Sequence, residues 1–581
     1  MTQTAAQAPT DFARNMGEMA WRTVKKFPQR VSHMVPHKGE YRNVTFTEFW
    51  EQVFTYAKAL HSFGLRRGDR VVILGETCFE WAVTDWAAQT LGLVSVPIYP
   101  TLPPDQSQYI LEDCGAKVAV CLDAKMASKL TGVPTPLLRP AAGEEGLTDH
   151  AGKSDLTREA WEAQISDGSP EDLATFIYTS GTTGQPKGAM LTHGNFTKLA
   201  EVVRQDLDVS ENDVFFSFLP LSHVFERFAG HALTMSLGAT VAYAGSLVSL
   251  ASDVAKARPT VIVGVPRFLE NMRGRIVENV RKQGGIKEKL FDAALAQGLK
   301  KYRGEAAPFY GLLDKLVGSK IRERLGGRVR FIASGGAALA PHVSEFYIAF
   351  GLNVLQGYGL TETTAASNIN RPGQNDPETV GPPFRGIEQM IAPDGEILIR
   401  GFSVMKGYYN LPEETKNAID ADGWFHTGDI GEFKNGKLKI TDRKKDLLVL
   451  GNGKNVAPQP VENRLKESEF IQEAVLLGDG MEYCCALVVP DFERLKGWLS
   501  AQGITETDSE KVIQLDVVKA QIKSEIDKIN KQLADFEKVK KHVLVGRAFS
   551  IDGGELTPSL KVRRKVVKEK YADEIKSMQR V

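Results

Sequence analysis

Residues Tyr178 to Gly188 read Tyr-Thr-Ser-Gly-Thr-Thr-Gly-Gln-Pro-Lys-Gly and follow directly on the apolar run Leu173 to Ile177. Three glycines let the backbone adopt positive φ and aim its N–H groups inward, while four Ser/Thr hydroxyls and Lys187 add donors and a positive charge. The chemistry this suits is the cradling of a polyphosphate. A kinase-type loop would read G-x-x-x-x-G-K-[ST], but here Pro186 precedes Lys187 and Gly188 follows it, so that pattern fails. Taken alone, the stretch also reads as a flexible Gly/Thr surface loop.

Three further motifs follow in order: Gly357-Tyr358-Gly359-Leu360-Thr361-Glu362-Thr363-Thr364, then Trp424-Phe425-His426-Thr427-Gly428-Asp429, then Ile440-Thr441-Asp442-Arg443-Lys444-Lys445-Asp446. With the cradle they resemble the adenylate-forming superfamily of acyl-CoA synthetases, luciferases and peptide-synthetase adenylation domains, over Thr45 to Lys565. Leu219-Pro220-Leu221-Ser222-His223-Val224-Phe225-Glu226-Arg227 and Gly451-Asn452-Gly453-Lys454-Asn455-Val456-Ala457-Pro458 are most similar to bacterial long-chain fatty-acid CoA ligases.

The resemblance implies a two-step reaction. A carboxylate attacks the α-phosphate of ATP and releases pyrophosphate; the thiol of coenzyme A then displaces AMP from the acyl-adenylate. The first step gathers anions, so it needs cations and fixed donors more than a base. Thr179, Ser180, Gly181, Thr182, Thr183, Gly184 and Lys187 would hold the β- and γ-phosphates. Glu362 would be a magnesium ligand with Thr179 as hydroxyl partner, since hard oxygens suit Mg2+. Tyr358, between Gly357 and Gly359, would lie against adenine, with Gly335, Gly336 and Ala337 as the opposing wall and Gln356 and Thr361 beside it. Asp429 and Arg443 would hold the ribose. Lys561 would reach the reacting carboxylate and α-phosphate, Lys445 would be the hinge of a moving lid, and His223 would stand at the mouth of the acyl pocket. Gly451, Gly453 and Lys454 would face coenzyme A.

Several of these residues have plainer readings without the family. Asp429 is then a helix cap or turn residue, Lys445 one charge in a solvated run, and His223 a structural histidine. Lys561 belongs to a basic tail with Arg563, Arg564, Lys565, Lys568 and Lys570, which reads equally as a solvated or lipid-facing face. The expected activity is long-chain fatty acid to coenzyme A ligation. A ligase for medium-chain or aromatic carboxylates, and a non-catalytic nucleotide or fatty-acid sensor on the same scaffold, remain as alternatives. Nothing after Lys565 reads as a carrier domain.

The elements that must position these residues alternate between strand and helix. Arg70 to Gly75 reads as a buried strand, Phe79 to Leu91 as a helix and Val94 to Tyr99 as the next strand, and the pattern returns at Val118 to Leu122, Thr260 to Val265, Phe268 to Val277, Val329 to Ala333 and near Pro341. Buried strands alternating with helices imply α/β architecture with doubly wound parallel sheets and ligands beyond the strands' carboxyl ends. Pro134 to Gly168 and Thr505 to Glu510 read as exposed connections. Short strands resume at Ala474 to Leu477 and Cys485 to Val489. The expected division is an AMP-binding domain over 1–442, with a β-barrel-like part, and a small mobile α+β lid over 443–581.

Composition sets the outer bounds. A chain of 581 residues is too long for one core. Lys plus Arg and Asp plus Glu number 72 each, so no global field recruits nucleic acid. The five cysteines are odd in number and show no C-x-x-C spacing, which argues against a disulfide framework or zinc site and fits a reducing cytoplasm. Asp11, Arg14 and Glu18 precede any apolar run, so no secretory signal is expected. Phe228 to Ser252 lacks Asp, Glu, Lys and Arg, yet its glycines and serines suit a buried helix, a turn at Gly238 and a strand over Ala239 to Ala244 better than a membrane span. The expected partners are fatty acid, ATP and coenzyme A, with no nucleic acid and no obligate protein; peripheral contact with the inner face of a membrane is left open.

Overall fold

Strands Arg70–Leu74, Val94–Ile98 and Val118–Cys121 are almost wholly buried and pair in parallel, with the Phe79–Thr90 helix crossing between the first two. This is the expected βαβ unit. The computed structural model describes residues 2–4, 11–179, 185–246, 248–451, 453–550, 553–556 and 562–579. These strands lie in a six-stranded sheet ordered Gly407–Tyr408, Lys187–Thr192, Leu173–Thr179, Val94–Ile98, Arg70–Leu74, Val118–Cys121. Continuous Val/Ile/Leu runs form them because helices cover both faces and leave no wet side.

An eight-stranded sheet runs in the order Asn368–Ile369, Asn353–Tyr358, Phe331–Ser334, Val261–Gly264, Val214–Ser217, Thr240–Tyr243, Val31–His37, Glu40–Thr45. Phe331–Ser334 and Asn353–Tyr358 are parallel neighbours with Ser334 opposite Gln356. The segments beginning at Gly335 and Gly359 therefore leave adjacent carboxyl ends, where a doubly wound sheet binds its ligands.

One connection differs from expectation. Pro134 to Gly168 is not an exposed linker throughout: it holds a 3-10 turn at Leu147–Lys153 and a helix at Arg158–Ile165. Thr157 caps that helix by accepting from the Ala160 amide, and Trp161 is fully buried, 4.7 Å from the Trp50 ring, with its indole N–H on the Thr90 hydroxyl at 2.9 Å. Trp161 and Ile165 are four residues apart and share one face, a signal that the flanking Pro, Gly and Ser obscured. The apolar stretch from Phe228 follows expectation, with helical turns over Arg227–Leu237, Gly238 at φ +71° and a strand at Thr240–Tyr243. Among the described residues no helix is long and apolar enough to cross a membrane.

The chain forms two compact units. The larger comprises 1–390, 398–427 and 434–438; the smaller comprises 391–397, 428–433 and 439–581. The smaller unit is built on Ile471–Leu477 and Cys484–Pro490, antiparallel, with Val539–Leu544 parallel to the second. The Pro458–Leu465 and Asp516–Asn530 helices bury Val461, Leu465, Val518, Ile522 and Ile526 in its core.

Candidate active site

Leu173–Thr179 and Lys187–Thr192 pair antiparallel with Thr179 directly opposite Lys187. The loop between them therefore begins and ends side by side, pinned by its own ladder. Ser180, Gly181, Thr182, Thr183 and Gly184 lie outside the described residues. Gly407–Tyr408 adds as a short strand on the other side of Lys187–Thr192, with Tyr408 opposite Ala189. Two further amides, Lys406 to the Met190 carbonyl and Tyr409 to the Gly188 carbonyl, extend that seam.

This added strand brings Glu362 to the hairpin. Glu362 sits in the Thr361–Thr363 turn, and its backbone carbonyl accepts from the Met405 amide at 2.8 Å. Its Oε1 accepts from the Tyr408 hydroxyl, also at 2.8 Å. Lys187 Nζ lies 5.5 Å from the centre of the Tyr408 ring and pairs with the Glu414 carboxylate. Burial, and then the Glu362 charge, hold the Tyr408 phenol far above its ordinary pKa, so it remains a donor. Tyr408 and Glu414 were missed at the level of sequence. The available signal was Gly407-Tyr408-Tyr409 followed by Pro412-Glu413-Glu414, an aromatic strand ending before an acidic first turn.

The adenine-side residues share this unit. Gln356 accepts from the Leu339 amide at 2.6 Å and donates to the Thr379 carbonyl at 3.3 Å, which fixes the 335–340 loop against the strand end. Gly336 takes φ +81°, a conformation that side chains resist. A Cβ on Gly359 would fall 2.2 Å from the Ala365 carbonyl oxygen, so no larger residue fits there. Tyr358 ends its strand nearly buried, while Ala337 is exposed.

His223 caps the short Val224–Glu226 helix: its Nδ1 accepts from the Phe225 amide at 3.1 Å, which leaves the ring proton on Nε2. The Phe225 ring packs against Gly335, so the histidine motif and the 335–337 loop are neighbours. Next along the chain, Arg227, which the sequence analysis quoted only as part of the Leu219 to Arg227 motif, joins a buried charge network. Arg227 and Asp85 are both fully buried and paired at 2.5 Å; Arg227 also donates to the Ser95 hydroxyl at 2.6 Å, and His231 Nε2 meets Asp85 at 2.9 Å. Burial alone would raise the Asp85 pKa, but the Arg227 charge and the His231 and Ser95 hydrogen bonds outweigh it and hold the carboxyl well below its usual range. Glu226 differs. It is fully buried, and burial pushes its carboxyl up to about 8, opposed only weakly by the Ser217 hydroxyl and the Leu219 amide. The sign that could have flagged this network is Asp85, the single charge in the largely apolar Trp81 to Ala88 stretch.

The smaller unit holds the other predicted residues. Asp429, nearly buried, accepts from Arg443 Nε at 2.7 Å. Lys444 bridges Asp394 and Glu396 at 2.6 and 3.0 Å. Lys445 is exposed by surface area, yet partial desolvation, then the Arg443 charge, lower its pKa. Asp442 accepts the amides of Arg443 and Gln459 at 2.7 and 2.9 Å, tying the run to the first turn of the Pro458–Leu465 helix; burial raises its pKa to about 6. The Gly451 amide bonds the Met481 carbonyl, Gly453 has φ +78°, and Lys454 lies 4.8 Å from the Phe536 ring. Asn452 and Lys561 lie outside the described residues. Thus Lys187 and Glu362 meet around Tyr408 in the larger unit, with Thr179 opposite Lys187 on the ladder, whereas Asp429, Arg443 and Lys445 belong to the smaller.

Residues 20–409 match the family model described as AMP-binding enzyme, and residues 445–580 match the AMP-binding enzyme C-terminal domain. The chain is 35% identical to the peroxisomal long chain acyl-CoA synthetase 6 of Arabidopsis thaliana, covering 93% of this chain and 82% of that protein. It is 34% identical to the long-chain-fatty-acid–CoA ligase FadD15 of Mycobacterium tuberculosis, with 97% of each chain covered. Among solved structures, ATP-bound MatB from Rhodopseudomonas palustris superposes with a TM-score of 0.72 at 25% identity, over 96% of this chain and 99% of that one. The anthranilate CoA ligase AuaEII with anthranoyl-AMP shares the fold at a TM-score of 0.73 and 20% identity, over 96% and 97% of the two chains. With a family model spanning most of its length and relatives aligned nearly end to end, the chain belongs to the AMP-binding enzymes.

Proposed function

We propose that the protein ligates a long-chain fatty acid to coenzyme A at the expense of ATP, through an acyl-adenylate, releasing pyrophosphate and AMP. The observation that carries this reading is the Lys187–Tyr408–Glu362 cluster at the root of the Thr179–Lys187 hairpin. It sets Lys187, paired with Glu414, and the Glu362 carboxylate around one aromatic ring, in a chain that aligns along nearly its full length with long-chain acyl-CoA ligases. In this reading Lys187 and the loop neutralise the β- and γ-phosphates, Tyr358 and the 335–337 loop flank adenine, and Asp429 with Arg443 holds the ribose. Lys561 stabilises charge as the acid oxygen attacks phosphorus. His223 stands at the acyl mouth, Lys445 is the pivot of a lid over 443–581, and Gly451, Gly453 and Lys454 face coenzyme A.

Magnesium fits the same place. Thr179 and Glu362 offer hard oxygens, and Tyr408 orients the Glu362 carboxylate. Among the described residues no group of three or more His, Cys, Asp and Glu side chains forms a metal cage. A protein supplying one or two oxygens is what an ion carried largely by polyphosphate requires. Its contribution when bound is to offset phosphate charge.

The test is pyrophosphate release from ATP with and without fatty acid, followed by initial rates with coenzyme A over acids of increasing length. Release that requires the acid, with rates favouring long chains, is expected. Release independent of added acid, or a preference for short or aromatic acids, would overturn the long-chain assignment.

A further inference from the structure

Residues 266–330 form a helical layer over one face of the eight-stranded sheet, and their charge is unlike that of the rest of the chain. Sixteen are Lys or Arg and seven are Asp or Glu, an excess of nine positive charges in a protein whose charges otherwise balance, 72 against 72. The remaining residues therefore carry the opposite excess. A field of this kind, confined to one layer, selects anionic surfaces.

The same layer exposes large apolar side chains. Tyr310–Leu313, Asp314–Gly318 and Ser319–Arg324 run as one continuous helix whose inner side buries Leu313, Ile321 and Leu325 in the core. Its outer side shows Leu312 at 61% exposure and Leu316 at 43%, and Phe309, just before the first turn, at 64%. Spacings of three and four residues set these on one side of the helix. Single exposed leucines are ordinary, but an apolar row on a helix whose other side already fills the core has no structural use. Lys315, Lys320 and Arg324 are exposed along the same helix and form no ion pair with a described residue. Arg322, by contrast, is neutralised by Asp314 at 2.6 Å. Ile286, 77% exposed between the positive-φ Gly284–Gly285 turn and Lys287, repeats the pairing of apolar and basic side chains at the start of the Gly285–Tyr302 helix.

We propose that this outer helix face, centred on Phe309, Leu312 and Leu316 and flanked by Lys315, Lys320 and Arg324, docks the protein on anionic phospholipid bilayers. Apolar side chains seated at the headgroup boundary with lysines and arginines beside them are the two components of interfacial binding, and they act together. The purpose assigned to the surface rests on the long-chain ligase reading, because such acids partition into bilayers and an enzyme held there meets them at high local concentration. The binding itself does not depend on that reading.

The test is co-sedimentation of the full chain with phosphatidylcholine vesicles, with and without about a third phosphatidylglycerol. Binding to the anionic vesicles, weakened by high salt and nearly absent with phosphatidylcholine alone, is expected. A Leu312→Asp/Leu316→Asp double variant should bind at least about tenfold more weakly, and a Lys315→Ala/Lys320→Ala/Arg324→Ala variant should lose the salt-sensitive part. Both should keep wild-type circular dichroism and full rates with a water-soluble shorter acid. Wild-type protein that ignores anionic vesicles overturns the proposal, as does binding unaltered in both variants. Dimerisation abolished by Leu312→Asp/Leu316→Asp, without vesicle binding, would assign the surface to a second copy and overturn it as well. Vesicle binding by a protein that forms no acyl-CoA would uphold the docking surface and refute the ligase reading.

Discussion

Tyr408 donates its phenolic hydrogen to the Glu362 carboxylate at 2.8 Å although 46 residues separate the two. The bond joins a two-residue strand on the hairpin's flank to a turn beyond the other sheet's edge, so the carboxylate is aimed rather than left to rotate. A hydrogen bond to a charged group contributes about 1.5 to 3 kcal/mol. Tyr408→Phe keeps the ring and removes the donor; pyrophosphate release should slow by about ten- to a hundredfold, with a higher magnesium requirement. An unchanged magnesium titration would separate Tyr408 from the metal site.

Lys561→Ala should abolish acyl-adenylate formation while leaving attack of coenzyme A on supplied acyl-adenylate largely intact. Losing one donor to developing charge costs about 3 to 4 kcal/mol, a factor of about 100 to 1000. Single-turnover assays of the two half-reactions read this directly. Normal adenylation by Lys561→Ala together with loss in Lys565→Ala would shift the catalytic lysine by four residues.

Lys445→Pro fixes φ at the proposed pivot. Each unit should stay folded and adenylation should survive, measured as pyrophosphate exchange, while thioester formation falls by orders of magnitude. Equal loss of both half-reactions with unchanged circular dichroism would move the pivot elsewhere in the Asp442 to Asp446 run.

Glu226 gives a pH signature. Its carboxyl titrates near 8 in the folded chain against an ordinary 4.5. Between those values the folded state holds one more proton than the unfolded, so stability is fully present below the lower value and falls as pH rises toward the upper. The limiting slope is about 1.4 kcal/mol per pH unit. Glu226→Gln mimics the protonated acid and should flatten this component when urea midpoints are compared across that range. A variant that keeps the wild-type slope would show that another group carries it.

Much of the fold was legible because its strands are short apolar runs bounded by glycine and polar turns; Arg70–Leu74, Val118–Cys121 and Phe331–Ser334 fall where the pattern put them. The Arg158–Ile165 helix was not, since its two buried residues, Trp161 and Ile165, are too few to overcome a Pro- and Gly-rich setting. Of the candidate site, Lys187 and Glu362 could be named from motifs, but the residue that joins them could not. Tyr408 lies in a strand of two residues, whose pairing is decided by tertiary docking and leaves no periodicity to read. The Asp85–Arg227 pair was invisible for a related reason: 142 residues separate two charges that look solvated until both are buried.

That pair also ties the assembly of the two sheets together. Asp85 rides on the crossover helix of the six-stranded sheet, and Arg227 on the connection between Val214–Ser217 and Thr240–Tyr243 of the eight-stranded one. A sheet that formed by itself would hold an uncompensated charge in its interior, at a cost of several kcal/mol. Neither sheet is then a stable intermediate alone, and the larger unit should melt in a single transition, with the tryptophans beside Asp85 and the strands of both sheets losing their signals together.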